Sequence, residues 1–101
     1  SPQDLQNYQR SHSEGEQLLI GQFIEQVGSN RYLIDVKNGF NVGDTVLLMS
    51  PSGNQSFNLE TLESEHGEAI IRAPGSGYRV IVQTTLPLAE RDIPYSLLVK
   101  Q

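Results

Sequence analysis

Two turn signals set close together constrain this chain more than any other feature. The stretch Lys37-Asn38-Gly39-Phe40-Asn41-Val42-Gly43-Asp44 separates two apolar-rich runs, Arg31–Val36 and Thr45–Ser50. Asn38-Gly39 favours a tight turn, because both residues accept a positive φ at low steric cost. Gly43-Asp44 is a second turn signal that restarts the chain as a strand. Phe40 and Val42 alternate between the two on extended backbone and point inward together, so the loop has a floor of its own. Gly43 is expected in a conformation poorly open to other residues, with Asp44 hydrogen-bonding backbone in the same turn. The stretch reads as the hub of a small β domain.

The flanking chain carries the same signature. Residues 17–27 mix apolar and polar side chains without helical caps, placing Phe23, Glu25 and Val27 on one strand face and Ile24 and Gln26 on the other. Gly21 marks a bulge or bend. Gly28-Ser29-Asn30 is a turn, and Tyr32, Ile34 and Val36 alternate along the second strand. Pro51-Ser52-Gly53-Asn54 closes the next hairpin. Residues 55–63 continue as a strand with Phe57, Leu59 and Thr61 on one face; a helix over 59–63 is the rival, and the segment is too short for it. Short strands follow at 68–73, 78–84 and 95–100, with a two-proline loop at 86–94. Six or seven short strands without a convincing helix predict an all-β fold. A small, closed, mostly antiparallel barrel over 17–100 is expected, since closure removes exposed sheet edges. Phe23, Ile34, Val36, Phe40, Val46, Leu48, Phe57, Val80 and Val82 are its expected interior.

Residues 1–16 hold only Leu5 and Tyr8 as sizeable apolar groups. They read as a linker, or as a strap from an upstream catalytic domain anchored by those two residues. The start at Ser1, without a methionine, suits a trimmed piece of something larger. With no cysteine, the chain has no disulfide framework, thiolate metal site, iron–sulfur ligand set or cysteine nucleophile. No run approaches the roughly 20 apolar residues that a membrane-spanning helix needs. No membrane partner and a cytoplasmic location are expected. A net charge of −5 works against sequence-independent nucleic-acid binding, which requires a basic surface.

Motifs that promise chemistry dissolve on inspection. His66 lies among Glu63, Glu65 and Glu68, yet side chains so close on a hairpin splay to both faces and no second histidine is near. His12-Ser13-Glu14 lists nucleophilic-triad types in consecutive positions, which cannot align a proton relay. Gly75-Ser76-Gly77 precedes a strand and not the helix N-terminus that anion-cradling loops use. Asn54-Gln55-Ser56 matches a glycosylation acceptor but has no secretion signal with it. The basic residues are spread singly, although Arg31 and Lys37 could share a surface with Arg72 or Arg79. No catalytic residue, metal or cofactor is expected in this domain.

Lys37-Asn38-x-Phe40-x-Val42-Gly43-Asp44, an apolar strand and Pro51-x-Gly53 together resemble the C-terminal domain of peptidase family U32, the collagenase-like proteases. The likeness continues through Phe57-x-Leu59, Gly67-Glu68-Ala69-Ile70 and Ala73-Pro74-Gly75-x-Gly77-Tyr78-x-Val80. Upstream, Gln6-Asn7-Tyr8 with Ser11 and Leu19-Ile20-Gly21 resemble the junction found in the tRNA hydroxylation branch. Gly39 departs from the pattern, where relatives would carry a basic residue, and this argues against a phosphate grip by the loop.

The resemblance implies a barrel like domain two of translation elongation factors, set after a larger catalytic domain that holds the chemistry, including any iron–sulfur cysteines. In the tRNA hydroxylation branch that chemistry is prephenate-dependent hydroxylation of the wobble uridine; elsewhere the family is labelled protease. The implied role is a non-catalytic accessory barrel docked on the catalytic domain and helping present substrate. Lys37, Asn38, Phe40, Val42, Gly43 and Asp44 form its structural motif and candidate interaction site. Weak RNA contact and self-association of the isolated domain are expected. The alternative is an autonomous tRNA-binding module.

Overall fold

The computed structural model describes residues 16–101, so Leu5, Tyr8, Arg10 and the His12-Ser13-Glu14 run lie outside the described residues. The strands are β1 (Leu18–Gly28), β2 (Arg31–Val36), β3 (Phe40–Asn41), β4 (Thr45–Ser50), β5 (Gly53–Asn58), β6 (Leu62–Ser64), β7 (Arg72–Ala73), β8 (Arg79–Gln83) and β9 (Leu97–Lys100). A 3₁₀ helix, Glu90–Tyr95, precedes β9. Seven strands form one sheet in the order β5-β4-β9-β1-β2-β8-β6, and β3 pairs with β7 in a separate ribbon. Every pairing is antiparallel.

Alternation places the core. Phe23, Ile34, Val36, Val46, Leu48, Val80, Val82 and Leu98 line one face of the sheet and belong to a single buried cluster. Phe40 and Ala73 of the small ribbon and Ile93 of the 3₁₀ helix join that cluster, so both elements cap the concave side. Phe23 and Tyr32 meet edge to face with ring centroids 5.7 Å apart, and the Tyr32 hydroxyl accepts the Leu88 N–H at 2.9 Å. The aromatic pair thus combines apolar burial with a satisfied polar tip.

The fold is all-β, but it is not a closed barrel. The sheet curls through about half a barrel and ends in β5 on one side and β6 on the other, where residues 68–70 return to bond β6 through Ser64 N–H to Glu68 O and Ile70 N–H to Leu62 O. The expected continuous strand over 55–63 splits into β5 and β6, which stand at opposite edges. At the break the Leu59 N–H donates to Asp44 O (2.9 Å), and Leu59 O accepts the Gly43 N–H (2.8 Å). Backbone groups spent on the turn at Gly43 cannot bond a neighbouring strand, so the ladder stops there. Phe57 is consequently only half-buried, on an edge strand.

Two further expectations change. The register of β1 with β2 shifts between Phe23 and Glu25, so Glu25 pairs with Leu33 and both Glu25 and Val27 face solvent, away from Phe23. One extra residue in a strand reverses the faces beyond it. A second shift lies between Leu19 and Gly21 against β9, beside the glycine that the sequence marks as a bend. The loop read over 86–94 contains the start of the 3₁₀ helix, with Ile93 buried and Pro94 inside it.

Candidate functional site

The stretch Lys37–Asp44 folds as a buckle that ties several elements together. The Asn41 N–H donates to Asp44 Oδ2 at 2.8 Å, and the Asp44 N–H returns a bond to Asn41 O at 3.2 Å. Gly43 takes φ +99°, a region that L side chains rarely adopt, and nothing else crowds its Cα. Lys100 Nζ lies 3.5 Å from the same Asp44 oxygen, linking the turn to β9. Val42 N–H reaches Ile71 O at 3.0 Å, and Phe40 inserts into the core.

Asn38-Gly39 does not make the positive-φ turn that its sequence suggests, since neither residue has positive φ. The chain is instead drawn back onto β1: Lys37 N–H bonds Ile20 O at 2.7 Å, and Asn38 Nδ2 bonds Leu19 O at 2.7 Å. Gly39 is small for another reason. A Cβ there would sit 2.7 Å from Arg72 Nη2 and 3.1 Å from Ala73 O, so the guanidinium fills the side-chain space. Arg72 also donates to Asn41 Oδ1 at 3.1 Å. The six candidate residues therefore lie together: Phe40 is in the core, Asp44 is tied within the turn and to Lys100, and Lys37 and Asn38 make their contacts at the exposed surface.

Three of the described basic side chains are paired with carboxylates. Arg31 pairs with Glu63, Lys37 with Asp35 at 3.2 Å, and Lys100 with Asp44. Arg79 stands opposite Asp35 in the β2–β8 register. His66 Nε2 is 3.8 Å from Glu65 Oε2 in an exposed turn, while Glu63 is engaged by Arg31. Among the described residues no three His, Cys, Asp or Glu side chains gather where they could hold a metal ion. An iron–sulfur cluster has no ligands here, for the chain lacks cysteine. Nor does any helix among the described residues have the length and apolarity to cross a membrane.

Two features escaped the sequence reading. Leu47, Leu97 and Val99 face away from the core, because Val46, Leu48 and Leu98 face into it. In register, Val99 lies between Leu19 and Leu47 and is only 6% exposed despite being on the convex side. Leu19 is 39% exposed. The alternation signal for this second apolar row was present, but 17–27 and 95–100 are too far apart in sequence to be seen as neighbours. The other feature is Asp92, buried at 4% exposure, whose Oδ2 has no hydrogen-bond partner. Nothing in Arg91-Asp92-Ile93-Pro94 announces a buried carboxylate.

Comparison with known proteins places this geometry. The model of the peptidase family U32 C-terminal domain matches residues 16–95. The chain belongs to that family. Across 98 residues it is 38% identical to tRNA hydroxylation protein P of Escherichia coli K12, a match covering 96% of this chain and 21% of the relative. The protein of the same name from Haemophilus influenzae is 28% identical over 99 residues, with the same coverage. The chain thus spans about a fifth of the length of these two relatives. The crystal structure of the C-terminal domain of a U32 peptidase-family protein from Geobacillus thermoleovorans superposes with a TM-score of 0.69 at 20% identity, covering 90% of this chain and 99% of that one. Its selenomethionine variant gives the same TM-score at 21% identity, covering 79% and 95%. The half-barrel is therefore a shared fold.

Proposed function

We propose that this domain is a non-catalytic accessory module of a U32-family protein that hydroxylates tRNA. It docks on the catalytic part of the same protein and helps present substrate. The observation that carries the reading is the 38% identity to a tRNA hydroxylation protein of which the chain matches only a fifth. Two features of the chain support it. Among the described residues no three His, Cys, Asp or Glu side chains gather as a metal centre would need, and the convex row around Val99 offers an apolar seat beside the start of β1. Interfaces between domains of one chain are modest in area and fairly polar, so a row of this size suffices.

The chemistry of tRNA hydroxylation belongs, on this reading, to the remainder of the protein, and the domain works without metal or cofactor in the cytoplasm. The acidic balance of the chain, with Arg31, Lys37 and Lys100 each paired to a carboxylate, speaks against the alternative of an autonomous tRNA-binding module. The test compares the full-length protein, the protein lacking residues 16–101, and the domain alone. Hydroxylation should fall without the domain and be absent from the domain alone. Activity in the isolated domain overturns the accessory role; its tight tRNA binding at physiological salt favours the module. Prolonged dialysis should leave no stoichiometric metal on the domain by elemental analysis.

A further inference from the structure

The geometry points to a second contact, a pocket at the end of the β4–β5 hairpin that receives a lysine or arginine side chain from the remainder of the same protein. The inference rests on the docking reading above and adds a chemical anchor to it.

The pocket lies between the hairpin turn and the segment leading into the 3₁₀ helix, with Ser50, Ser52, Leu86, Leu88 and Asp92 in its wall. The segment is held firmly. Gln55 Nε2 donates to Leu86 O at 3.1 Å and Gln55 Oε1 accepts the Leu86 N–H at 3.0 Å, while Thr84 Oγ1 donates to Leu86 O at 2.7 Å. The backbone of Asp92 is also satisfied, its N–H bonding Ala89 O and its carbonyl accepting Ser96 Oγ. Only the carboxylate is left over: Oδ2 is buried and no donor reaches it. Arg91 lies at the mouth, but it is exposed and forms no ion pair with Asp92 among the described residues.

A buried carboxylate oxygen without a donor is costly, and the cost is relieved by a charged donor from outside. The walls select which donor. Leu86 is 58% exposed and, with Leu88, gives the pocket that Asp92 also lines an apolar side. An alkyl stem ending in a cation matches an apolar wall ending in an anion, which is the pattern of a lysine or arginine side chain. The source is the remainder of the protein, for the chain accounts for only 21% of its relatives. Met49, next to Ser50 in β4, belongs to the convex side, so one docked surface spans the apolar row and the pocket.

The test uses the 101-residue chain and the full-length protein side by side. In the isolated chain, Nα-acetyl-lysine methylamide should shift the amide resonances of Leu86, Leu88 and Asp92 saturably. The norleucine analogue, with the same stem and no charge, should not, and Asp92→Asn should abolish the response. In the full-length protein, hydrogen exchange at 84–92 should be slower than in the isolated chain. Asp92→Asn should restore it by roughly tenfold or more, the scale of one lost charge-assisted hydrogen bond. Leu86→Ser, which keeps the carboxylate, should weaken both responses and serves if the aspartate variant does not fold. Equal shifts with both analogues, or exchange at 84–92 unmoved by either variant, overturn the pocket. In that case protection at Leu19 and Val99 in the full-length protein shows that docking itself still stands. Absence of that protection removes the docking reading instead.

Discussion

The buckle at Lys37–Asp44 and the segment from Leu86 to Asp92 are built from similar materials and settle their polar groups in opposite ways. Each holds an aspartate close to the core and ties its backbone into neighbouring elements. In the buckle, Asp44 bonds the Asn41 N–H and faces Lys100. In the other segment, the backbone is satisfied while the Asp92 carboxylate is left without a donor. A region whose carboxylate is answered from within serves the fold. A region that buries an unanswered one, behind an apolar rim open to solvent, is prepared for something outside it. The stretch that stands out in the sequence ties its aspartate into the fold, and the quiet one holds a carboxylate oxygen with no donor.

Substitutions can break or sharpen this contrast. The largest effect is expected at Phe40, the core anchor of the buckle: Phe40→Ala should cost about 3–5 kcal/mol in chemical denaturation, as for other buried phenylalanines. A loss below 1 kcal/mol, roughly the range of a surface change, would show that the buckle does not hold the core. Asp44→Ala comes next, at about 1–3 kcal/mol, because it strands the Asn41 N–H and the Lys100 ammonium together. Gly43→Ala should cost roughly 1–2 kcal/mol, the strain of placing a Cβ at a left-handed φ with no clash added. An unchanged denaturation midpoint would mean that the turn relaxes freely. Leu86→Ser in the isolated chain should move stability by less than about 0.5 kcal/mol, since the side chain is largely in water. A larger loss there would make the second region architectural too and erase the difference.

Much of the fold was legible because its signals are local. Turn residues at Gly28-Ser29-Asn30, Gly43-Asp44 and Pro51-Ser52-Gly53 mark real strand ends, and two-residue alternation puts Ile34, Val36, Val46, Leu48, Val80 and Val82 inside. What failed was long-range. Nothing near Leu59 in the sequence shows that its backbone will be claimed by Gly43 and Asp44, so one strand was expected where two edges form. The bulge after Phe23 also reverses the faces of Glu25 and Val27 without a glycine or proline to announce it. At the candidate site, Gly39 looked like a turn residue and proves to be the space that Arg72 occupies. Asp92 had no signal at all, for burial of a single carboxylate depends on elements distant in sequence, such as the β4–β5 hairpin that shares a pocket wall with it.

The place of β9 has a consequence for how the chain reaches its native state. The β4–β5 hairpin joins the rest of the sheet through β9 alone, which pairs with β4 on one side and β1 on the other. Hairpins close quickly because their contacts are local, but β1 must wait for a partner some eighty residues later, Leu18 meeting Lys100. On the ribosome, then, the β4–β5 hairpin and the β1-β2-β8-β6 half of the sheet stay unjoined until β9 has been made. Assembly should be late and cooperative, with β9 as the stitch. Removing those few residues would divide the sheet in two and would not merely trim its edge.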